Sequence, residues 1–490
     1  MPHPRVRLAP TGADIPDGVL AALRDRFAAV RAELDLSLDY PADALAEAAR
    51  VAAEPSGLPT RDETDLPFFT VDPPGSMDLD QAMHLERDGD GHRIRYAIAD
   101  VPAFVVPGGD LDRVTRERGQ TVYCPDVRVP LHPEVLSEAA ASLLPDAVRP
   151  AFVWDLRLDG SGDLVDAQVH RAMVRSVERL DYAHVQAAVD AGTGDERFLL
   201  LREIGERRIE QERARGGASL PMPEQQVSER EGGGFTLEFR PPVPAEEWNA
   251  QVSLLTGMAA AAMMVQAGVG VLRTMPRPTA EAVARFRRAA KGLGVDWPAD
   301  VPYGDLVRGL DRTNPRHLAL IHEATSLFRG AGYTAFDGEA PAEREHAAVA
   351  APYAHVTAPL RRLVDRFGLV VCEAACRDAD VPDAVRAALP DLAELMRTSD
   401  GRARAAERAC ADATEAAVLH GREGESFDAI VLDHTERGLD VQLLDLPVVT
   451  RATGRRVGLG ARVRVRLDRA DVRAGALAFS LVEATTHAGP

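Results

Sequence analysis

The sequence predicts an α+β chain in three parts: a short helical segment at 1–60, a large α+β domain at 61–420 and a small all-β barrel at 421–490. Three observations predict it. Between residue 60 and about 175, apolar residues alternate with others, as in Ile94, Tyr96, Ile98 and in Phe152, Trp154, Leu156, Leu158, the period of half-buried strands. From 180 to 418 most of the pattern is helical instead. Beyond that, 427–432, 439–444, 462–467 and 476–482 read as short strands between turns, which suits a small closed sheet.

Each part follows from its residues. Val19, Leu20, Leu23, Phe27, Val30 and Leu34 share one helical face; Tyr40-Pro41 breaks that helix and Pro55-Ser56-Gly57 ends a second. The segment is too short for a pair of β-barrels. In the strand-rich part, the turns Gly89-Asp90-Gly91 and Gly160-Ser161-Gly162 close hairpins. Residues 249–268 are nearly all small or apolar, so a fully buried helix is expected, with Gly257 permitting close backbone approach. In the last part Arg462, Arg464 and Arg466 alternate with valines. That basic strand face is either a solvated edge or, against an acidic whole, a surface tracking a single-stranded nucleic-acid backbone.

Composition narrows the function. The 490 residues suffice for two or three domains with a large core. The net charge of −19, from 57 basic and 76 acidic residues, argues against a general nucleic-acid coat protein. It leaves room for a local basic channel, since fields are screened within about 10 Å at moderate salt. No apolar run reaches membrane-spanning length uninterrupted, and Met1-Pro2-His3-Pro4-Arg5 lacks the apolar core of a signal peptide, so a soluble cytoplasmic protein with no membrane partner is expected. The four cysteines are few and scattered; Cys372 and Cys376, four apart on a predicted helix, suggest packing and not a zinc knuckle.

The chemistry concentrates in Phe68-Phe69-Thr70-Val71-Asp72-Pro73-Pro74-Gly75-Ser76-Met77-Asp78-Leu79-Asp80-Gln81. A buried strand runs into Asp72, a Pro-Pro-Gly-Ser turn reverses the chain, and Asp78 and Asp80 flank Leu79. A solvated acidic loop is the ordinary reading. Against it, these acids alternate with apolar residues, and no Lys or Arg lies between Phe68 and Leu85 to pair with them. A hard divalent cation, Mg²⁺ with Mn²⁺ as the alternative, is then the expected partner of Asp72, Asp78 and Asp80.

Further motifs come in a fixed order: Ala97-Ile98-Ala99-Asp100-Val101; Arg118-Gly119-Gln120-Thr121-Val122-Tyr123-Cys124-Pro125; Val129-Pro130-Leu131-His132-Pro133; Ala141-Ser142-Leu143; and Tyr353-Ala354-His355-Val356-Thr357-Ala358-Pro359-Leu360-Arg361-Arg362. With the acid cluster, they resemble the catalytic domain of the ribonuclease II and ribonuclease R superfamily, the RNB domain. The ending resembles an S1-type RNA-binding barrel of the OB kind. The resemblance implies a mixed sheet with surrounding helices, followed by that barrel. It also implies hydrolytic 3′-to-5′ removal of 5′-mononucleotides from single-stranded RNA with Mg²⁺, by a monomer without organic cofactor. Asp72, Asp78 and Asp80 would hold metal, with chemistry depending most on Asp80. Arg361 and Arg362 would bind phosphate beside Thr357, Tyr123 would stack on the 3′-terminal base, Glu407 would lie near the 3′ end, and Arg464 and Arg466 would meet RNA. From its residues alone, Tyr123 reads as a core tyrosine and Glu407 as a solvated helix-face acid.

The sequence departs from the family pattern where Gln81 stands for a fourth aspartate, Ala358 for a serine, Leu363 for an aromatic residue, and Ala250-Gln251 for an acidic pair. The helical lead stands in place of the family's cold-shock barrels. A glutamine carbonyl still ligates a hard cation, so Gln81 joins the expected metal set at lower charge. Two rivals stay open: a catalytically weakened RNB protein that regulates RNA by binding it, and a phosphotransferase using Asp78 and Asp80 as a nucleophile pair.

Overall fold

The computed structural model describes residues 13–484 apart from 16, 194, 219–223, 230–234, 241, 312, 313 and 437. Residues 1–12 of the helical lead lie outside them. After a two-residue strand at Ala13–Asp14 and a 3-10 turn at Asp17–Val19 come two helices, α1 (Leu20–Glu33) and α2 (Ala42–Ala53). Leu23, Phe27 and Val30 recur at helical spacing and bury one face of α1.

The strand-rich part holds β1 (Phe68–Asp72), β2 (Gln81–Asp88), β3 (Gly91–Ala99), helix α3 (Asp110–Arg118), the short β4 (Val122–Tyr123) and β5 (Arg128–Val129), then β6 (Val148–Leu158) and β7 (Leu164–Asp181). The expected mixed sheet is a closed barrel in the order β1–β2–β3–β6–β7. Its neighbours are antiparallel except β7 beside β1, which run parallel with Asp181 opposite Asp72. Alternation sorts the wall into two buried faces. Large residues such as Met83, Ile94, Tyr96 and Trp154 share one core, while Ala82, Ala97, Ala99 and Val153 share another.

The helical part begins with α4 (Tyr182–Asp190), α5 (Glu196–Ala214) and α6 (Pro244–Ala267). The α6 helix starts before the expected 249 and is not fully buried, because Ala250, Ala262 and Gln266 face out. It alone among the described helices is long and apolar enough to cross a membrane, and half of its most apolar window is buried inside the protein, as in a core helix. Strand pairing also interrupts the helical run, as β8 (Val269–Thr274) meets a later strand. Next come α7 (Ala280–Gly292), α8 (Tyr303–Arg308), α9 (Pro315–Ala324), β9 (Gly332–Asp337) pairing with β8, α10 (Leu363–Cys376) and α11 (Asp383–Leu419). The α11 helix accommodates Pro390 within its length.

The C-terminal strands β10 (Ser426–Thr435), β11 (Gly438–Leu443), β12 (Val449–Thr453), β13 (Arg462–Asp471) and β14 (Ala476–Ala484) close in the order β10–β11–β12–β14–β13. This is the small barrel the sequence predicts. It is not detached: Ile430 and Leu432 of β10 share a core with Phe286, Leu318 and Leu320 from α7 and α9.

Candidate active site

The acids sit where the first barrel needs a connection. Asp72 ends β1 and Gln81 begins β2, so residues 73–80 cross one end of the barrel. Gly75 adopts φ +80°, and Ser76 N–H donates to the Pro73 carbonyl at 3.2 Å, which makes the turn. Ser142 clamps the residues just beyond it: its hydroxyl donates to the Met77 carbonyl at 2.6 Å and accepts from Leu79 N–H at 3.0 Å. Leu79 is fully buried, which turns Asp78 and Asp80 to the other side of the chain. Asp80 is fixed in turn by the bond from Ala99 N–H to its carbonyl at 2.9 Å.

A second loop, 353–362, meets these acids. It can lie flat on α6 because position 257 is glycine, where a Cβ would fall 2.2 Å from the Tyr353 ring. Ala354 N–H donates to the Gly257 carbonyl at 3.0 Å, and the Ser253 and Thr357 hydroxyls share a 2.8 Å bond. Leu360 N–H then donates to Asp80 Oδ1 at 2.7 Å, and Arg361 Nε lies 3.3 Å from Asp80 Oδ2. Thr121 N–H holds the Arg361 carbonyl at 3.0 Å, and His132 Nδ1 holds the Leu360 carbonyl at 3.0 Å. The scattered motifs are thus one clamp that places Arg361 over Asp80.

The electrostatics are those of carboxylates short of positive charge. Burial pushes Asp80 up to about 8 despite Arg361, and pushes Asp72 up to about 7, with the Asp78 charge raising both further. Asp72 Oδ2 is buried with no hydrogen-bond partner. Asp78 Oδ1 pairs with Arg128 at 2.7 Å, and the Tyr123 hydroxyl lies 3.5 Å from its Oδ2. Arg128 and Arg361 correct the sequence argument from missing local cations, for the partners arrive from residues far along the chain. Arg128 sits five residues past Tyr123 within the motif region, yet no residue pattern singled it out.

Among the described residues no three His, Cys, Asp or Glu side chains converge closely enough to form a ready-made metal site. The donor chemistry nevertheless fits a hard cation: three carboxylates from one strand–turn segment, with one buried Asp72 oxygen orphaned. Gln81 is a correction. Its carbonyl oxygen accepts from the Tyr96 hydroxyl and its amide nitrogen donates to the Thr357 carbonyl at 2.7 Å, so both ends are committed within the protein. Thr357 is likewise buried and bonded to Ser253, a scaffold position and not an open phosphate contact. The Arg362 fork is held by Asp365 at 2.8 and 2.9 Å.

Other expected residues are open. The Tyr123 ring is 54% exposed, which removes its reading as a core tyrosine. The Arg361 side chain is about half exposed. Arg464 and Arg466 lie on the exposed face of β13, where Val463, Val465 and Leu467 point inward. Glu407 is exposed on α11, beside Ala406, whose buried side shares a core with Val122. Asp100 is fully buried, paired to Arg171 Nε at 2.7 Å and accepting from Ala103 N–H, which accounts for it structurally.

Residues 60–371 match the RNB domain, and residues 425–482 match the RNase II-type exonuclease C-terminal S1 domain. The chain is 26% identical over 477 residues to Ribonuclease R of Escherichia coli (strain K12), covering 86% of this chain and 57% of that protein. It thus spans less than two thirds of that relative. The apo form of Mycoplasma genitalium RNase R superposes with a TM-score of 0.84 at 18% identity, covering 94% of this chain and 78% of the other. The same protein in complex with ribose-methylated single-stranded RNA gives 0.83. Yeast Ssd1, a pseudonuclease, gives 0.66 at 17% identity over 85% of this chain and 54% of its own.

Proposed function

The chain belongs to the RNB-domain family, and from that premise we propose that it is a hydrolytic exoribonuclease, removing 5′-mononucleotides from the 3′ end of single-stranded RNA. The observation that carries this reading is Arg361: a half-exposed guanidinium 3.3 Å from a buried carboxylate, with the exposed Tyr123 ring nearby. The 3′-terminal base stacks on Tyr123, a contact every base offers. Arg361 forks onto the scissile phosphate and stabilises the charge that grows there. Asp80, fixed by Leu360 N–H and Arg361, orients the attacking water. Water oxygen bonds to phosphorus, the bond to the 3′ oxygen breaks, and a 5′-monophosphate leaves while the shortened RNA keeps a 3′ hydroxyl. Asp72, Asp78 and Asp80 would hold Mg²⁺, which would supply Lewis-acid polarisation at the scissile phosphate.

A second reading, an RNA-binding regulator with weakened catalysis, is favoured by one observation. Gln81 replaces a family carboxylate and its amide is tied into the scaffold. The purified full chain on 5′-labelled poly(A), with Mg²⁺ or Mn²⁺, separates the two. Metal-dependent release of mononucleotides is expected. Tight binding without any release establishes the regulator instead.

A further inference from the structure

The strands that present Tyr123 are too short to place it by themselves. β4 and β5 pair over two residues each, Tyr123 opposite Arg128, and residues 124–127 turn between them. A two-stranded ribbon of this size is not stable alone, so its neighbours decide where the Tyr123 ring stands. On one side Thr121 N–H donates to the Arg361 carbonyl at 3.0 Å, and Leu131 N–H donates to the Thr121 hydroxyl at 3.0 Å.

The helical lead supplies the other side. Arg31 of α1 reaches the turn itself, its Nη1 2.6 Å from Asp126 Oδ1, and the two side chains are only 13% and 17% exposed. Tyr40, between α1 and α2, donates its hydroxyl to the Pro130 carbonyl at 2.6 Å, one residue past β5. The Arg118 guanidinium lies 3.8 Å from the centre of the Tyr40 ring and donates to the Asp39 carbonyl at 2.6 Å and the Pro130 carbonyl at 3.0 Å. Glu47 of α2 accepts from Leu111 N–H at 2.8 Å in the first turn of α3. Beneath these contacts Leu23, Phe27 and Val30 share a core with Val122, Val129 and the α11 residues Ala406 and Cys410.

We propose that the helical lead is a brace for the 3′-end site, in which Arg31 and Tyr40 are positioning residues that orient the Tyr123 ring for the terminal base. The proposal rests on the assignment of Tyr123 to that base. Covering apolar surface needs only the buried face of α1, and that contact has no direction. The Arg31 ion pair and the Tyr40 hydrogen bond do have direction, and they grip the hairpin at its turn and at its exit. With either grip released, the ring keeps its chemistry but loses its preset orientation, and bound RNA must order the hairpin itself. The cost falls on holding the terminal nucleotide, and it grows as the RNA shortens and its other contacts are lost.

An oligo(A) RNA ending in 2-aminopurine tests this, because stacking quenches the fluorescence of that base. The full chain is titrated in EDTA, so binding is read without hydrolysis. Tyr123→Ala sets the unstacked signal. Tyr40→Phe removes one hydroxyl and keeps the ring under Arg118, while Arg31→Gln and Asp126→Asn each break the ion pair. All three should lose part of the quench and bind a short oligomer about fivefold more weakly, near the low end of what one lost base stack costs. Arg31→Gln and Asp126→Asn combined should do no more than either alone. Glu33→Gln breaks an ion pair within α1, to Arg26 at 2.6 Å, and should match the unaltered chain. With metal added, Tyr40→Phe should raise KM for short oligomers and lengthen the end products, with kcat on poly(A) little changed. A full quench in Tyr40→Phe overturns the brace, whether or not Arg31→Gln folds. An equal loss in Glu33→Gln also overturns it, since general loosening of α1 would then be the cause. An unchanged quench in Tyr123→Ala removes the assignment of that ring and the brace with it. If the quench responds as expected but metal brings no release of nucleotides, the exoribonuclease reading fails and the brace stands.

Discussion

At the scale of single residues, the site turns on two adjacent side chains with opposite commitments. Asp80 is buried and drawn to Leu360 N–H and Arg361, so Asp80→Asn keeps the shape and one acceptor while removing the charge. Hydrolysis should be abolished and RNA affinity nearly retained, because phosphate and stacking contacts elsewhere carry the binding. Turnover close to normal in that variant sinks the role of Asp80. Gln81 behaves differently. In Gln81→Asp an acceptor oxygen replaces the donor facing the Thr357 carbonyl, and the Tyr96 hydroxyl loses its reach. Stability should fall by about 1–3 kcal/mol, the cost of buried polar groups left unpaired. The Mg²⁺ concentration for half-maximal activity should stay unchanged. A denaturant melt and a metal titration of both proteins check this, and a lowered metal requirement would place Gln81 in the metal site. The acids were legible in sequence because they alternate with apolar residues on a strand–turn pattern. Arg128, the partner of Asp78, was not, because a salt bridge across 50 residues leaves no local trace.

At the scale of elements, loop 353–362 is held from below by α6 through Gly257 and Ser253, and from the side by Thr121 and His132. His132 is fully buried, and burial pushes it down to about 3, helped by the Arg366 and Arg118 charges; the Leu360 carbonyl acts against this. Its Nε2 has no partner, so the neutral ring donates through Nδ1. Linkage gives the sign. The folded value lies below the unfolded one near 6.5, so the unfolded chain binds more protons between them. This stabilisation is complete above about pH 6.5 and is lost as pH falls toward 3. His132→Asn retains a donor for Leu360 without titrating, so its stability should fall less steeply from pH 7 to pH 4. Denaturant midpoints across that range measure the difference, and parallel curves refute the role of His132. The motifs that supply this clamp were visible as ordered strings. Their convergence was not, because register in a closed barrel, and a glycine approached by a ring, are properties of tertiary packing.

At the scale of the whole molecule, the two barrels and the helices between them form a chain of shared cores, and this changes how the C-terminal barrel must be tested. Ile430 and Leu432 are buried against α7 and α9, and Val472 is buried against α11. Deleting the barrel therefore exposes apolar surface on the rest of the protein, and a loss of RNA binding would not distinguish lost contacts from partial unfolding. Charge is the cleaner lever. Arg462, Arg464 and Arg466 are exposed on β13 while the residues between them fill the barrel core, so replacing all three with glutamine leaves the core intact. Arg466 gives up a 2.9 Å pair with Asp468, an exposed interaction worth little. If this face tracks RNA, each arginine that meets a phosphate releases counterions. The slope of log affinity against log salt should then flatten by about 0.7 per such arginine for a single strand. Affinity should fall most at low salt, and the identity of the released nucleotide should stay the same. Fluorescence titrations of labelled poly(A) over a salt series, with circular dichroism to verify the fold, measure this. An unchanged slope in a folded triple variant would make the face an ordinary solvated edge, the other reading its alternating arginines allow.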